Sequence, residues 1–111
     1  VRLLDIAAGT GAVSLAAARQ GVEVLATDFS TAMADRLREK VAGEGLRNVQ
    51  VDVMDGQALD LPDATTDAGF DVVTCNFGVI FFPDPQAGFR EMHRVLRPGE
   101  RRGSPPGGRG R

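Results

Sequence analysis

The sequence predicts an α/β fold, in which helices connect the parallel strands of a doubly wound, Rossmann-like sheet. Short apolar runs typical of buried strands recur at residues 3–6, 22–27, 49–53 and 70–75. Stretches with helical periodicity separate these runs, which favours parallel strands joined by crossover helices. An aspartate lies at or just beyond the end of each of the first three runs, where a doubly wound sheet places its ligand crevice.

Length and composition confine the chain to one domain. It has 111 residues, of which 42% are hydrophobic, enough for a single core. Residues 1–100 hold 9 Lys and Arg against 15 Asp and Glu, whereas the last eleven residues add four arginines. The part predicted to fold is therefore acidic, and we expect it to bind no nucleic acid.

Cysteine content and hydropathy indicate the cellular compartment in which the protein is expected. One cysteine excludes an internal disulfide and favours a reducing compartment. No signal peptide opens the chain, and no apolar run reaches the ~20 residues that a membrane span needs. These features predict a cytoplasmic protein without a membrane span.

The first two helices are predicted from their capping residues. The helix after the first strand begins at Ala12, and Gly21 stands where a C-terminal cap is needed. Ser30 is placed to cap the second helix, and we expect Gly43 and Gly45 to end it.

The second half of the chain predicts one more strand and one more helix. Residues 62–69 are rich in breakers and predict a loop before the fourth strand at 70–75. Asp84 and Pro85 form a good N-cap and first helical position, and residues 98–99 are expected to end that helix.

Gly9 and Gly11 directly follow the first strand and mark a sharp turn into the first helix. Glycine at such a turn permits positive φ and lets a bound molecule approach closely. The dinucleotide fingerprint GxGxxG would need a third glycine where this chain has Ser14. Asp5 would repel a pyrophosphate and suits a ligand with an amino group and a sulfonium, namely S-adenosylmethionine.

This turn resembles the first motif of the class I S-adenosylmethionine-dependent methyltransferases, an acid followed by three small residues at alternate positions. Asp5, Ala7, Gly9 and Gly11 match the motif, with Ala7 in place of the commoner glycine. The resemblance implies that Asp5 faces the amino-acid end of the cofactor and that the glycines border its backbone. It covers residues 1–100 and implies the strand order 3-2-1-4, with strands five to seven of the family missing.

The resemblance also assigns residues after the second and third strands. Asp28 would bind the ribose hydroxyls, although a turn-capping aspartate is the alternative. Phe29 and Met33 follow it and are assigned to the cofactor as well, while Met33 is equally suited to the core. Asp55 and Gly56 would bind the adenine.

The residues after the fourth strand give weaker signals. Asn76 and Phe77 resemble residues that line the methionine part of the cofactor and the acceptor; a strand-end polar group and a core aromatic are the alternatives. Cys75 lacks an evident histidine base, so we interpret it as a buried strand residue. His93 is interpreted as a partly exposed helix residue, and the sequence contains no cluster typical of a metal site.

Residues 101–111 are rich in Gly, Pro and Arg and lack apolar runs, which predicts a disordered basic tail. A nucleic-acid-binding arm is one interpretation of this tail. We favour another, in which residues 1–100 are a partial methyltransferase domain from a truncated or frame-shifted reading of a longer gene. The fourth strand would then be a poorly covered edge, which predicts marginal stability or aggregation.

The sequence thus predicts methyl transfer from S-adenosylmethionine to a small-molecule acceptor, without a residue that must act as a general base. The sequence motifs in residues 70–99 resemble those of the family branch that includes the quinone and sterol methylases. Two other hypotheses are an NAD(P)-type nucleotide-binding Rossmann protein and an inactive remnant of the methyltransferase.

Overall fold

A computed structural model describes residues 1–65, 69–75 and 82–98. The described residues form four strands and three helices. In chain order they are β1 (Arg2–Ile6), α1 (Ala12–Arg19), β2 (Glu23–Asp28), α2 (Thr31–Glu44), β3 (Val49–Val53), β4 (Val72–Thr74) and α3 (Pro85–Val95).

The strands form one parallel sheet in the order β3-β2-β1-β4. The predicted fold class and strand order are confirmed. Asp5 is in register with Ala26 on β2 and with Thr74 on β4, and Asp28 is in register with Val53 on β3. Because the strands are parallel, all four carboxyl ends lie at one edge of the sheet.

The helices α1 and α2 cover one face of the sheet, which we call the first face. Alternate residues of β1, β2 and β3 point to it and pack against both helices. The buried apolar residues of this cluster are Leu3, Leu15, Ala18, Val24, Ala26, Ala34, Leu37, Val41 and Val51.

The other face, which we call the second face, packs against α3 and the chain between β3 and β4. Its buried apolar residues are Leu4, Ile6, Leu59, Phe70 and Val95. Within the described ranges, no helix combines the length and hydropathy that are needed to cross a bilayer.

The predicted caps of α2 and α3 are confirmed. The Ser30 hydroxyl accepts a hydrogen bond from the Met33 amide, and the Asp84 carboxylate accepts one from the Ala87 amide. Gly45 ends α2 with a left-handed φ of 67°. The expectation that Gly43 helps to end this helix was wrong, because α2 continues through it to Glu44.

The bounds of β4 and α3 also differ from the prediction. β4 is limited to Val72–Thr74 because the Phe70 backbone pairs with the residues after α3. The Phe70 amide donates to the Val95 carbonyl (3.0 Å), and the Arg97 amide donates to the Phe70 carbonyl (2.7 Å). For the same reason α3 ends at Val95, ahead of the predicted Pro98. Cys75 follows β4 and is half-buried, so its prediction as a buried strand residue was wrong.

Three predictions lie outside the described residues. They concern Asn76, Phe77 and the tail at 101–111.

Candidate functional site

Asp5, Asp28 and Asp55 lie at or just beyond the carboxyl ends of three adjacent parallel strands. Asp5 is the penultimate residue of β1, Asp28 is the last residue of β2, and Asp55 comes two residues after β3. Neighbouring strands in a sheet lie about 4.8 Å apart, so three strand ends span about 10 Å along this edge. The three carboxylates therefore share one edge, within the length of a single nucleoside-sized ligand.

The turn from β1 to α1 has an unusual backbone. Ala7, Gly9 and Gly11 have φ values of 56°, 57° and 85°, in the left-handed region that non-glycine residues rarely adopt. The Ala8 amide donates to the Thr27 carbonyl (2.9 Å), which ties the turn to β2. The turn borders a pocket of about 200 Å³, lined by Asp5, Ala7, Ala8, Gly9, Thr10, Ala12 and Val13.

The two glycines of the turn serve different purposes. A Cβ on Gly9 would meet no atom closer than the Met33 Cε, 3.9 Å away, so the space over Gly9 is open. A Cβ on Gly11 would overlap the buried Leu37 side chain of α2. Gly9 therefore gives clearance at the pocket, whereas Gly11 allows α1 and α2 to pack closely.

Asp5 is a buried carboxylate, only 2% exposed, at the inner end of this pocket. The Ser14 hydroxyl donates to its Oδ2 (2.7 Å), and the Thr74 hydroxyl donates to its Oδ1 (3.0 Å). Burial raises the pKa of the Asp5 carboxyl, while the two hydroxyl hydrogen bonds oppose that rise. Asp28 adds a smaller repulsion that raises the same pKa.

Asp28 connects the glycine turn with the start of α2. Its Oδ2 accepts a hydrogen bond from the Gly9 amide and its Oδ1 accepts one from the Ser30 amide, both at 2.9 Å. Each carboxylate oxygen has a second lone pair, so the group can still accept donors from a ligand. The adjacent Phe29 side chain is 76% exposed, and Met33 is half-buried beside Gly9.

One of the two carboxylate oxygens of Asp55 accepts hydrogen bonds within the protein. Its Oδ1 accepts hydrogen bonds from the Gln57 amide (2.8 Å) and from Gln57 Nε2 (3.1 Å). Gln57 Oε1 in turn accepts the Asp84 amide (2.8 Å) at the start of α3. Among the described residues no donor reaches Asp55 Oδ2, which leaves this oxygen available to a ligand.

Gly56 lies beside Asp55 but is required for packing. A Cβ at this position would come within 2.6 Å of both Ile6 and Phe82. Any contact of Gly56 with a ligand would therefore be made by its backbone.

The loop after Asp55 is fastened to α3 by Arg94 and Glu91. Arg94 donates to the carbonyls of Leu59 (3.0 Å) and Leu61 (2.6 Å) and to the Asp63 carboxylate (2.9 Å). Glu91 accepts the Leu59 amide (2.6 Å) and pairs with Arg94 (2.9 Å). We call these two side chains the α3 clamp.

Sequence reasoning missed three residues of the site, Ser14, Thr74 and Gln57. Ser14 was noted only as the residue that replaces a third glycine. The sequence did contain a signal for Ser14. Its hydroxyl stands in the first turn of a mostly apolar helix that follows a strand with an acidic residue, which indicates a polar partner for that acid. Thr74 gave no such signal, because its partner lies 69 residues away in the chain.

Among the residues that the structure describes, the remaining candidates form no further site. His93 is exposed on α3, as predicted. Over residues 1–65, 69–75 and 82–98, His, Cys, Asp and Glu side chains form no group suited to a metal ion.

Comparison with curated proteins identifies close relatives over most of the chain. It is 42% identical to a demethylmenaquinone methyltransferase of Clavibacter sepedonicus over 100 residues, which cover 90% of this chain and 38% of that protein. A demethylmenaquinone methyltransferase of Deinococcus radiodurans is 42% identical over 102 residues, 90% of this chain and 40% of that protein. The chain thus spans about two fifths of the length of these relatives.

Solved structures share the fold as well. The chain is similar to an S-adenosylmethionine-dependent methyltransferase from Aquifex aeolicus, with a TM-score of 0.77 at 26% identity, covering 87% of this chain and 51% of that one. It is also similar to the cyclase SpnF, with a TM-score of 0.82 at 29% identity, covering 89% of this chain and 36% of that one.

The family model of the methyltransferase domain matches residues 3–99. This match begins within β1 and extends beyond α3, so it includes every element that positions the pocket. The chain therefore belongs to the family of S-adenosylmethionine-dependent methyltransferase domains.

Proposed function

We propose that this chain is the cofactor-binding part of an enzyme that transfers a methyl group from S-adenosylmethionine to a small-molecule acceptor. The observation that carries the proposal is the pocket beside Gly9, which joins an open glycine turn to the buried Asp5 carboxylate. A negative charge at that place suits a ligand with an ammonium and a sulfonium, and disfavours a pyrophosphate.

The donor and acceptor groups at this edge fit the proposed cofactor. Asp5 would attract the ammonium group, and Asp28 would accept hydrogen bonds from the ribose hydroxyls. The exposed Phe29 ring offers an apolar surface to the adenine. Asp55 Oδ2, which accepts no hydrogen bond from the described residues, offers an acceptor for the adenine amino group. Ala7, Gly9 and Gly11 would border the cofactor backbone, with Met33 beside the ribose and Gly56 beside the adenine. Asn76 and Phe77 are proposed to line the methionine side.

The chemistry asks little of the protein beyond binding and orientation. When bound, S-adenosylmethionine supplies a methyl group on a positively charged sulfur, which is a good leaving group. The described residues would hold the ligand in one orientation and exclude water from one side of it. No side chain of the pocket is required as a general base in this proposal.

The acceptor is proposed from the relatives. Two of them are named demethylmenaquinone methyltransferases, which supports a quinone-like small molecule. An acidic edge with three carboxylates repels a polyanion, so we propose no nucleic-acid acceptor. We also propose a cytoplasmic location, since a chain that contains one cysteine fits a reducing compartment.

Isothermal titration calorimetry with S-adenosylhomocysteine tests the proposal. We expect binding, with NADH failing to compete. Asp28→Asn should weaken binding by about 1–3 kcal/mol, because hydrogen bonds to a charged acceptor are lost. Asp52→Asn on β3 changes a residue that does not line the pocket; it is the matched control and should bind as the unchanged chain does. Competition by NADH, or equal affinity of the Asp28 variant, would contradict the proposal.

Cofactor binding and catalysis need separate assays, because one fold supports different chemistries. SpnF, whose structure is similar, is named as a cyclase. Methyl transfer from radiolabelled S-adenosylmethionine to a demethylated quinone would support the enzyme. Tight binding of S-adenosylhomocysteine without any transfer would instead favour an inactive remnant or a different chemistry.

A further inference from the structure

Three elements of the fold meet at the Asp5 carboxylate. Asp5 belongs to β1, Ser14 to the first turn of α1, and Thr74 to the last position of β4. Both hydroxyls donate to it, one to each oxygen, at 2.7 Å and 3.0 Å. Ser14 is completely buried, and Asp5 is 2% exposed. The arrangement fixes the carboxylate from two sides and leaves its pocket side for a ligand.

Burial and Asp28 raise the pKa of Asp5, whereas the Ser14 backbone amide, besides the two hydroxyls, favours its charged form and lowers that pKa. The charged group that acts on it from β2 is Asp28, which repels it. The side chains that reach it from α1 and β4, Ser14 and Thr74, are neutral. Lys40 on α2 reaches the same turn but donates to the Thr10 carbonyl (3.0 Å). Charge-assisted hydrogen bonds from the two hydroxyls are therefore the main interactions that favour a buried anion here.

We propose that Ser14 and Thr74 are positioning residues that keep the Asp5 carboxylate in place as the anionic partner of the ligand's ammonium group. This inference rests on the proposed function, since it needs an ammonium-bearing ligand in the pocket. It differs from a purely structural role, in which the two hydroxyls would only dock α1 and β4 on β1. If the role were purely structural, removal of a hydroxyl would weaken the binding of every ligand of the pocket to the same extent.

Two adenosine ligands separate these roles. S-adenosylhomocysteine carries the ammonium group, whereas 5′-methylthioadenosine has the same nucleoside and thioether without the amino acid. Thr74→Val removes one hydroxyl at nearly constant volume, and Ser14→Ala removes the other. Thr74→Ser keeps the hydroxyl and is the matched control.

Burial raises the pKa of Asp5, and the hydroxyl hydrogen bonds counteract this rise. When one hydroxyl is removed, the pKa of Asp5 therefore rises further and the carboxyl takes up a proton more readily. We expect Thr74→Val and Ser14→Ala to bind S-adenosylhomocysteine about tenfold more weakly than the unchanged chain at the acid end of the pH range over which the unchanged chain still binds it. The loss should shrink as the pH is raised, because a higher pH favours the ionised carboxyl in the variants as well, and 5′-methylthioadenosine should bind within about twofold of the unchanged chain at every pH. Thr74→Ser should behave as the unchanged chain does.

Calorimetry of the full chain gives distinguishable outcomes. If the unchanged chain binds neither ligand, the proposed function fails and this inference fails with it. If the unchanged chain binds both ligands but the variants lose both in parallel, the hydroxyls are only structural and the inference alone is overturned. Unaltered binding of S-adenosylhomocysteine by Thr74→Val across the pH range would also overturn it. Thr74 is half-buried on an edge strand, so its variants provide the test even if Ser14→Ala does not fold.

Discussion

The unit from β1 to β3 and the unit formed by β4 and α3 differ in how much apolar packing and how much polar contact stabilises them. In the first unit, α1 and α2 bury a continuous apolar cluster against the first face of the sheet. The second unit shares a smaller apolar cluster on the second face of the sheet, to which α3 contributes Val95. There the α3 clamp adds hydrogen bonds and ion pairs to the apolar contact.

This difference matters for the candidate site because the site spans the boundary between the units. The glycine turn and Asp28 belong to the first unit, whereas Thr74 belongs to the second one. Apolar packing responds weakly to pH, and hydrogen-bonded ion pairs respond strongly. We therefore expect packing changes to dominate stability in the first unit, and pH and charge changes to dominate in the second.

The largest effect is expected at Gly11. Gly11→Ala places a Cβ against the buried Leu37 in a left-handed conformation, and should lower the free energy of unfolding by about 3 kcal/mol. Gly21→Ala is the matched control, since Gly21 has a similar φ of 89° but no atom within 4 Å of an added Cβ. It should cost only about 1 kcal/mol of backbone strain. Urea denaturation measures both, and equal losses would show that packing contributes nothing at Gly11.

Removal of the α3 clamp should come next. Arg94→Met keeps an apolar stem but leaves the Leu59 and Leu61 carbonyls and the Glu91 carboxylate without their donor, and should cost about 2 kcal/mol. Arg90→Met on the same helix is the control. Arg90 is exposed and its 4.0 Å contact with Asp84 is a surface ion pair, so its loss should stay within about 0.5 kcal/mol. A similar result for both variants would argue against the clamp.

The pH dependence of the clamp has a defined sign. The hydrogen bonds from Arg94, and a further one from the Leu59 amide, lower the pKa of Glu91 below its ordinary value of 4.5. A carboxyl with a lowered pKa stabilises the fold above its unfolded value, and this contribution is lost as pH falls through the folded value. Glu91→Gln should cost about 1 kcal/mol at about pH 7 and progressively less below about pH 4. Glu39→Gln on the exposed side of α2 is the matched control, and chemical denaturation at several pH values measures both.

The smallest effect on stability is expected at the edge strand. Val72→Lys should change the free energy of unfolding by less than about 0.5 kcal/mol, because Val72 is 40% exposed on the edge strand. The added charge should nevertheless reduce self-association, which light scattering over a range of concentrations measures. Gln50→Lys on β3, at the opposite edge of the sheet, adds the same charge as a control. Equal protection by both would indicate a general charge effect rather than an edge effect.

The order of the strands was implied by the resemblance to the methyltransferase family. The sequence by itself determined the parallel α/β fold, the turn at Gly9 and the caps Ser30 and Asp84. Each of these depends on local signals, such as apolar periodicity, positive φ or a capping side chain, that a few neighbouring residues carry. The shared edge of Asp5, Asp28 and Asp55 followed from the same signals, because parallel strands bring their carboxyl ends together. The roles of these acids towards a ligand stay predictions.

Only the tertiary structure decided which side chains support those acids. The contact of Thr74 with Asp5, the bridge of Gln57 to α3 and the close packing of Gly11 on Leu37 each join separate elements. The shortened β4 has the same origin, since the Phe70 backbone pairs with the residues after α3. Such contacts depend on the register of the strands and on the packing of the helices. Both are set by segments that lie far apart in the sequence and compete for the same packing partners in the fold.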